Sequence, residues 1–138
     1  MIVTGSTRGI GYEVARQLGL CGAHVIINGR TQIAVEGALQ TLAGGGRFDG
    51  IVADVASEAG AAIVIAAYPA FDIIVSNAAT FDWTAFFDAS DDDWLRHFHI
   101  NVLSSVRLAR AYLPGMLTRD WGRIVLVASE AGLNIPPE

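Results

Sequence analysis

The chain has 138 residues, a formal net charge of −5 and nine basic residues, every one an arginine; that length suits one domain with a sizeable core. The acidic balance, without a basic stripe, argues against a general nucleic-acid binder, and the lone Cys21 excludes an internal disulfide or a cysteine metal cluster and points to a reducing compartment. No apolar run approaches the roughly 18 residues of a membrane span and no basic-then-apolar leader opens the chain, so a cytoplasmic protein without a membrane or metal partner is expected.

Met1–Thr4 reads as the tail of a buried strand, followed by a glycine-rich turn over Gly5–Gly11. Ile10, Val14, Ala15 and Leu18 then recur at helical spacing, and Gly19 and Gly22 close that helix. His24–Asn28 is a second strand. Ile33, Val35, Ala38, Leu39 and Leu42 predict a second helix, stopped by Gly44, Gly45 and Gly46. Phe48–Ala53 is a third strand, and Ala59–Tyr68 a third helix ended by Pro69. Phe71–Ser76 is the fourth strand and Thr80–Ser90 a loop. Ser90, with Asp93 three residues later, supplies a helix cap whose acidic side chains suit the positive end of the dipole. The next helix carries the longest apolar stripe, through Leu95, Phe98, Val102, Val106, Ala109, Leu113 and Met116, with Pro114 expected to kink or shorten it. Arg123–Val127 is the fifth strand.

Strands alternating with helices at this spacing imply right-handed crossovers and a Rossmann-type, doubly wound parallel α/β sheet of about five strands, in a single domain over residues 1–138. Charged residues make up 17% of the chain, below the roughly 25% of ordinary soluble proteins. That suits strands buried on both faces. It suits equally a piece whose apolar surface meets something outside it, and composition does not separate the two.

The strongest local signal is Thr4-Gly5-Ser6-Thr7-Arg8-Gly9-Ile10-Gly11, between a strand and a helix. Glycines let the backbone turn tightly and approach a phosphate without a Cβ in the way. The helix behind them aims free N–H groups and its positive end at the same point, which makes a pyrophosphate site. An ordinary glycine-rich turn is the plainer reading, and the strand-turn-helix setting favours the functional one.

In its Thr-Gly-x-x-x-Gly-x-Gly spacing the turn resembles that of the short-chain dehydrogenase/reductase family, and the resemblance covers essentially the whole chain because further segments follow in order. It assigns Gly5, Thr7, Arg8, Gly9, Ile10 and Gly11 to the cofactor. After the second strand stand Asn28-Gly29-Arg30-Thr31, where NAD-specific relatives place a carboxylate for the ribose 2′-hydroxyl; Arg30, with Arg8, suits the 2′-phosphate and favours NADP(H) over NAD(H). Asp54-Val55 is similar to the pair that lies along the adenine ring. Ser76-Asn77-Ala78-Ala79 resembles the family's Asn-Asn-Ala-Gly segment with its first and last residues replaced, so Asn77, Ala78 and Ala79 are expected beside the cofactor. Asn101, inside the long helix, matches the asparagine that holds a water in the proton relay. Ser129, in Gly122–Gly132 and at the carboxyl end of the fifth strand, matches the catalytic serine.

The family's reaction is hydride transfer between the nicotinamide and a carbonyl or alcohol carbon. A tyrosine exchanges the proton on oxygen, and a lysine one helical turn later lowers that tyrosine's pKa. The Tyr-x-x-x-Lys pair normally follows the serine by roughly a dozen residues, past Glu138. Within the chain Tyr12, Tyr68 and Tyr112 are followed four positions on by Arg16, Asp72 and Met116. The expectation is therefore a truncated, NADP(H)-dependent oxidoreductase of small carbonyl or alcohol substrates, inactive alone and with its fifth strand an exposed edge. Homo-oligomers are implied for full-length relatives, through the asparagine-bearing and tyrosine-bearing helices, of which only the first is here. Two other readings stand: a non-enzymatic nucleotide-binding module or partner subunit of a related reductase, and one half of an enzyme completed by a second chain.

Overall fold

The computed structural model describes residues 1–130. Five parallel strands form one sheet: β1 (Ile2–Val3), β2 (His24–Gly29), β3 (Arg47–Val52), β4 (Ile73–Ser76) and β5 (Arg123–Leu126), in the order β3-β2-β1-β4-β5. Helices α1 (Gly9–Leu20), α2 (Gln32–Leu42), α3 (Glu58–Ala67), α4 (Asp91–Phe98) and α5 (Ser104–Thr118) connect them. The order reverses between β1 and β4. Open α/β sheets bind ligands at that reversal, beyond the carboxyl ends of the strands.

Side chains alternate across each strand, so neighbouring residues serve opposite cores. Ile2, Ile26, Ile51 and Ile74 pack with Val64 of α3 and Leu108, Tyr112 and Met116 of α5. Val3, Val25, Ile27 and Val75 pack with Ala15 of α1 and Ala38 and Leu42 of α2. Over β1, β2 and β4 both faces of the sheet are covered, the arrangement that their apolar runs require. No helix of the described residues is long and apolar enough to cross a membrane.

Several element ends differ from the sequence reading. Gly19 does not close α1 but lies buried inside it, where any Cβ would collide with the Phe48 ring. The chain turns instead at Gly22, with φ +88°. Ile33 points to solvent at 85% exposure, so the inner face of α2 is Val35, Ala38 and Leu42, with Leu39 packed partly buried beside them. Pro114 lies within α5, which runs on to Thr118.

The largest correction concerns the long apolar stripe. A π-helical turn, His99–Leu103, separates α4 from α5 and shifts the helical phase. Ser104, Leu108, Tyr112 and Met116 form the buried face, while Leu95, Phe98, Val102, Val106 and Leu113 remain exposed. The start of α4 is as expected: the Ser90 hydroxyl accepts from Asp93 N–H and the Asp93 carboxylate accepts from Ser90 N–H, a reciprocal capping box. Among the described residues β5 is a sheet edge, paired only with β4, and it exposes Val125 and Leu126.

Candidate nucleotide-binding site

At the β1–β4 reversal lies a cavity of about 320 Å³, lined among others by Gly5, Thr7, Arg8, Gly9, Arg30, Asp54, Val55, Asn77, Ala78 and Ala79. Ten of the twelve residues assigned to the cofactor from sequence therefore share one cavity. The remaining two do not line it: Ile10 is exposed, and Gly11 is buried beneath the turn.

The turn is held from below by a small set of polar groups. Ser6 Oγ donates to the Val3 carbonyl at 2.6 Å and accepts from Asn28 N–H at 3.0 Å. Asn28, itself buried, donates from Nδ2 to the carbonyl of Ala53 at 3.0 Å and accepts at Oδ1 from Gly5 N–H at 3.3 Å. Thr4 Oγ1 accepts from the backbone N–H groups of both Asn77 and Ala78 at 2.9 Å. Asn77 Nδ2 donates in turn to the carbonyls of Thr4 and Gly5 at 3.0 and 3.2 Å. Satisfied buried networks of this kind fix a backbone firmly. The sequence carries no signal for Thr4, Ser6 and Asn28 as a supporting set, because a buried Asn at a strand end shows its partners only once β3 is laid beside β2.

The geometry suits an anionic ligand. Gly5 and Gly9 take φ +61° and +62°, a region unfavourable to side chains. A Cβ on Gly5 would lie 3.0 Å from the Ala78 Cα, whereas the space around Gly9 is open. Helix α1 has neither a side-chain cap nor an acidic residue in its first turn. Its first residue, Gly9, lines the cavity, so the positive end of its dipole lies there with no acidic side chain in the helix's own first turn. Arg8 and Arg30 are exposed at the rim, and β2 ends in Asn28 and Gly29 without an acid. A dinucleotide phosphate group fits this donor set.

Asp54 fills two roles. Its carboxylate accepts from Ala56 N–H at 3.1 Å and its carbonyl accepts from Ser57 N–H at 2.9 Å, which shapes the turn into α3. Ser57 then caps α3 by accepting from Gly60 N–H. Asp54 nonetheless lines the cavity beside the buried Val55.

A second, larger cavity of about 650 Å³ shares Ala78 and Ala79 with the first and holds both Asn101 and Ser129, with Ser76, Thr80, Phe81 and Ser105 among its other lining residues. Asn101 sits at the centre of the π-helical turn. Its carboxamide is bound at both ends to one residue: Oδ1 accepts from Thr80 N–H at 2.8 Å, and Nδ2 donates to the Thr80 carbonyl at 3.1 Å. That reciprocity fixes which end is oxygen. Ser104 Oγ donates to the Ile100 carbonyl at 2.6 Å, supporting the turn from within. Ser76, in place of the expected asparagine, pairs with Ser105 Oγ at 2.6 Å and ties β4 to α5.

The loop over the second cavity is braced by groups that carried no signal in the sequence. Arg96 pairs with Asp82 at 2.6 Å and donates to Thr80 Oγ1 at 3.3 Å. Hydrogen bonding from Arg96 holds the Asp82 carboxyl below its ordinary pKa, and the Ser90 hydroxyl does the same for Asp93. The Ala131–Gly132 end of the serine segment lies outside the described residues.

A doubly wound parallel sheet with a glycine turn and a cavity at its switch point is a fold of the Rossmann class. The short chain dehydrogenase family model matches residues 1–138, and the chain belongs to that family. It is 39% identical over 140 residues to YvrD, an uncharacterized oxidoreductase of Bacillus subtilis, across 99% of this chain and 53% of that protein. It is 37% identical to dehydrogenase/reductase SDR family member 4 of Rattus norvegicus, across 99% of this chain and 51% of the relative. Among solved structures, a 3-oxoacyl (acyl-carrier-protein) reductase of Agrobacterium tumefaciens with NADP bound superposes with a TM-score of 0.88 at 31% identity, over 98% of this chain and 54% of that one. L-sorbose reductase of Gluconobacter frateurii, complexed with NADPH and L-sorbose, gives 0.81 at 32% identity, over 89% and 49%. The chain spans about half the length of the relatives it matches.

Proposed function

We propose that this chain is the nucleotide-binding half of an NADP(H)-dependent oxidoreductase that transfers hydride between the nicotinamide and a small carbonyl or alcohol substrate. The observation that carries the reading is the cavity at the sheet reversal, whose rim holds Arg8 and Arg30 and whose β2 end has no carboxylate. In this reading the glycine turn and the start of α1 receive the pyrophosphate, and Arg30 with Arg8 receives the 2′-phosphate. Asp54 and Val55 border the adenine. Asn77, Ala78 and Ala79 line the passage to the second cavity.

When bound, the cofactor supplies the hydride. Ser129 orients the substrate oxygen and Asn101, locked against Thr80, supports the proton relay. The tyrosine and lysine that would complete the proton transfer have no counterparts in the 138 residues. Reductase turnover is accordingly not expected from this chain alone; NADPH oxidation by pure protein, abolished by Ser129→Ala, would contradict that.

The cofactor assignment is tested by titrating NADPH and NADH against the chain and its Arg30→Asp variant, read by nicotinamide fluorescence. A charge-assisted contact of about 1.5–3 kcal/mol means NADPH weakens by roughly ten-fold or more while NADH changes little. Equal losses for both refute the 2′-phosphate role. A binding module without catalysis is the alternative. It has no use for Asn101 and Ser129, and the support against it is that both line one cavity next to the first.

A further inference from the structure

We infer that Arg107, on α5 and outside both cavities, is a positioning residue for the adenine end of the nucleotide cavity. The inference rests on the dinucleotide reading above. Arg107 Nη1 donates to the carbonyl of Ala56 at 2.8 Å, across 51 residues of sequence. Ala56 lines the cavity together with Asp54 and Val55. These three residues form the wall that closes the cavity beyond the end of β3.

The rest of that wall is braced from within or from α3. Asp54 binds Ala56 N–H and Ser57 N–H, and Ser57 Oγ donates back to the Asp54 carbonyl at 2.9 Å. Gly60, in the first turn of α3, is pressed so closely on Asp54 that any Cβ would collide with its carbonyl. Val55 is buried in the same core as Leu108, the residue after Arg107. The wall is therefore clamped between α3 on one side and α5 on the other, and Arg107 is the polar contact that α5 contributes.

The chemistry of the contact singles it out. Arg107 is half-buried, yet among the described residues it forms no ion pair. A partly desolvated guanidinium directed at a neutral carbonyl makes a stronger bond than a neutral donor would. It also ties the nucleotide wall to the helix that begins directly after the Asn101 turn. The two cavities thus share a strut as well as the Ala78–Ala79 boundary.

The test compares the 138-residue chain with its Arg107→Met and Arg107→Lys variants, titrated by calorimetry with NADPH, adenosine 2′,5′-bisphosphate and inorganic pyrophosphate. Amide exchange at Ala56 and Ser57 is followed by NMR alongside. In the Met variant the two adenine-bearing probes weaken about ten-fold, pyrophosphate binds as before, and the Ala56 and Ser57 amides exchange faster while those of Ile26 and Ile27 do not. Lysine, which keeps a charged donor, restores most of the affinity. Adenosine bisphosphate binding unchanged in the Met variant overturns the inference. So does an equal loss for pyrophosphate, which marks general loosening. If the Met variant does not fold, Arg107→Gln carries the same comparison. A parent chain that binds none of the three probes removes the nucleotide reading itself, and this inference with it.

Discussion

Two helical glycines respond to the same substitution in opposite directions. Gly11, in the first turn of α1, is buried, and a Cβ there would collide with Asn77 Nδ2 while standing 2.7 Å from the Gly5 carbonyl. The Asn77 carboxamide would have to leave, and with it the bonds to Thr4 and Gly5. Two hydrogen bonds at about 1 kcal/mol each and an overpacking cost of about 1–3 kcal/mol exceed the roughly 1 kcal/mol that alanine gains as a helix former. Gly11→Ala is expected to destabilise by about 2–4 kcal/mol and to abolish NADPH binding. Gly37, exposed in α2, has nothing within 4 Å of its would-be Cβ. Gly37→Ala is expected to stabilise by about 0.5–1 kcal/mol and to leave binding intact. Urea unfolding midpoints at unchanged m-value measure both. The reasoning fails if Gly11→Ala is as stable as the parent, or if the two variants shift the same way.

The capping box makes the α4 region sensitive to acid. The folded pKa values of Asp82 and Asp93 are depressed, by Arg96 and Ser90 respectively, so their stabilisation is present above the ordinary aspartate value of 3.8 and is lost as pH falls through the lowered ones. The amide signals of Ser90 and Asp93 in NMR should shift in that window in the parent and not in Asp93→Asn; persistence in the variant would refute the assignment. Tyr112 donates to the Tyr68 carbonyl at 2.7 Å at the end of α3, so Tyr112→Phe should cost about 1 kcal/mol in urea at neutral pH. Burial pushes the Tyr112 hydroxyl up to about 12. The raised value means that its stabilisation is lost as pH climbs from 10 towards 12, and the gap between parent and variant should close there.

The strand alternation was legible because each strand is a short apolar run bounded by turn residues, and the glycine turn because its spacing is local. The residues of the nucleotide cavity came from four separate segments, readable only through the family pattern. The supporting groups had no such signal. Ser6, Asn28 and Arg96 are ordinary polar residues until the fold supplies their partners. The apolar stripe of α4 and α5 misled for a related reason: helical spacing assumes constant phase, and the π-helical turn around Asn101 breaks it.

Sequence by itself determined the order of strands and helices along the chain, the glycine-rich turn and the acid-rich cap of α4, since each depends on residues within a few positions of one another. Tertiary structure decided which helix faces are buried, which polar groups hold the turn, and that Asn101 and Ser129 share a cavity. Those are contacts across tens of residues, and they exist only once the crossovers have brought β1 beside β4 and α5 against the sheet.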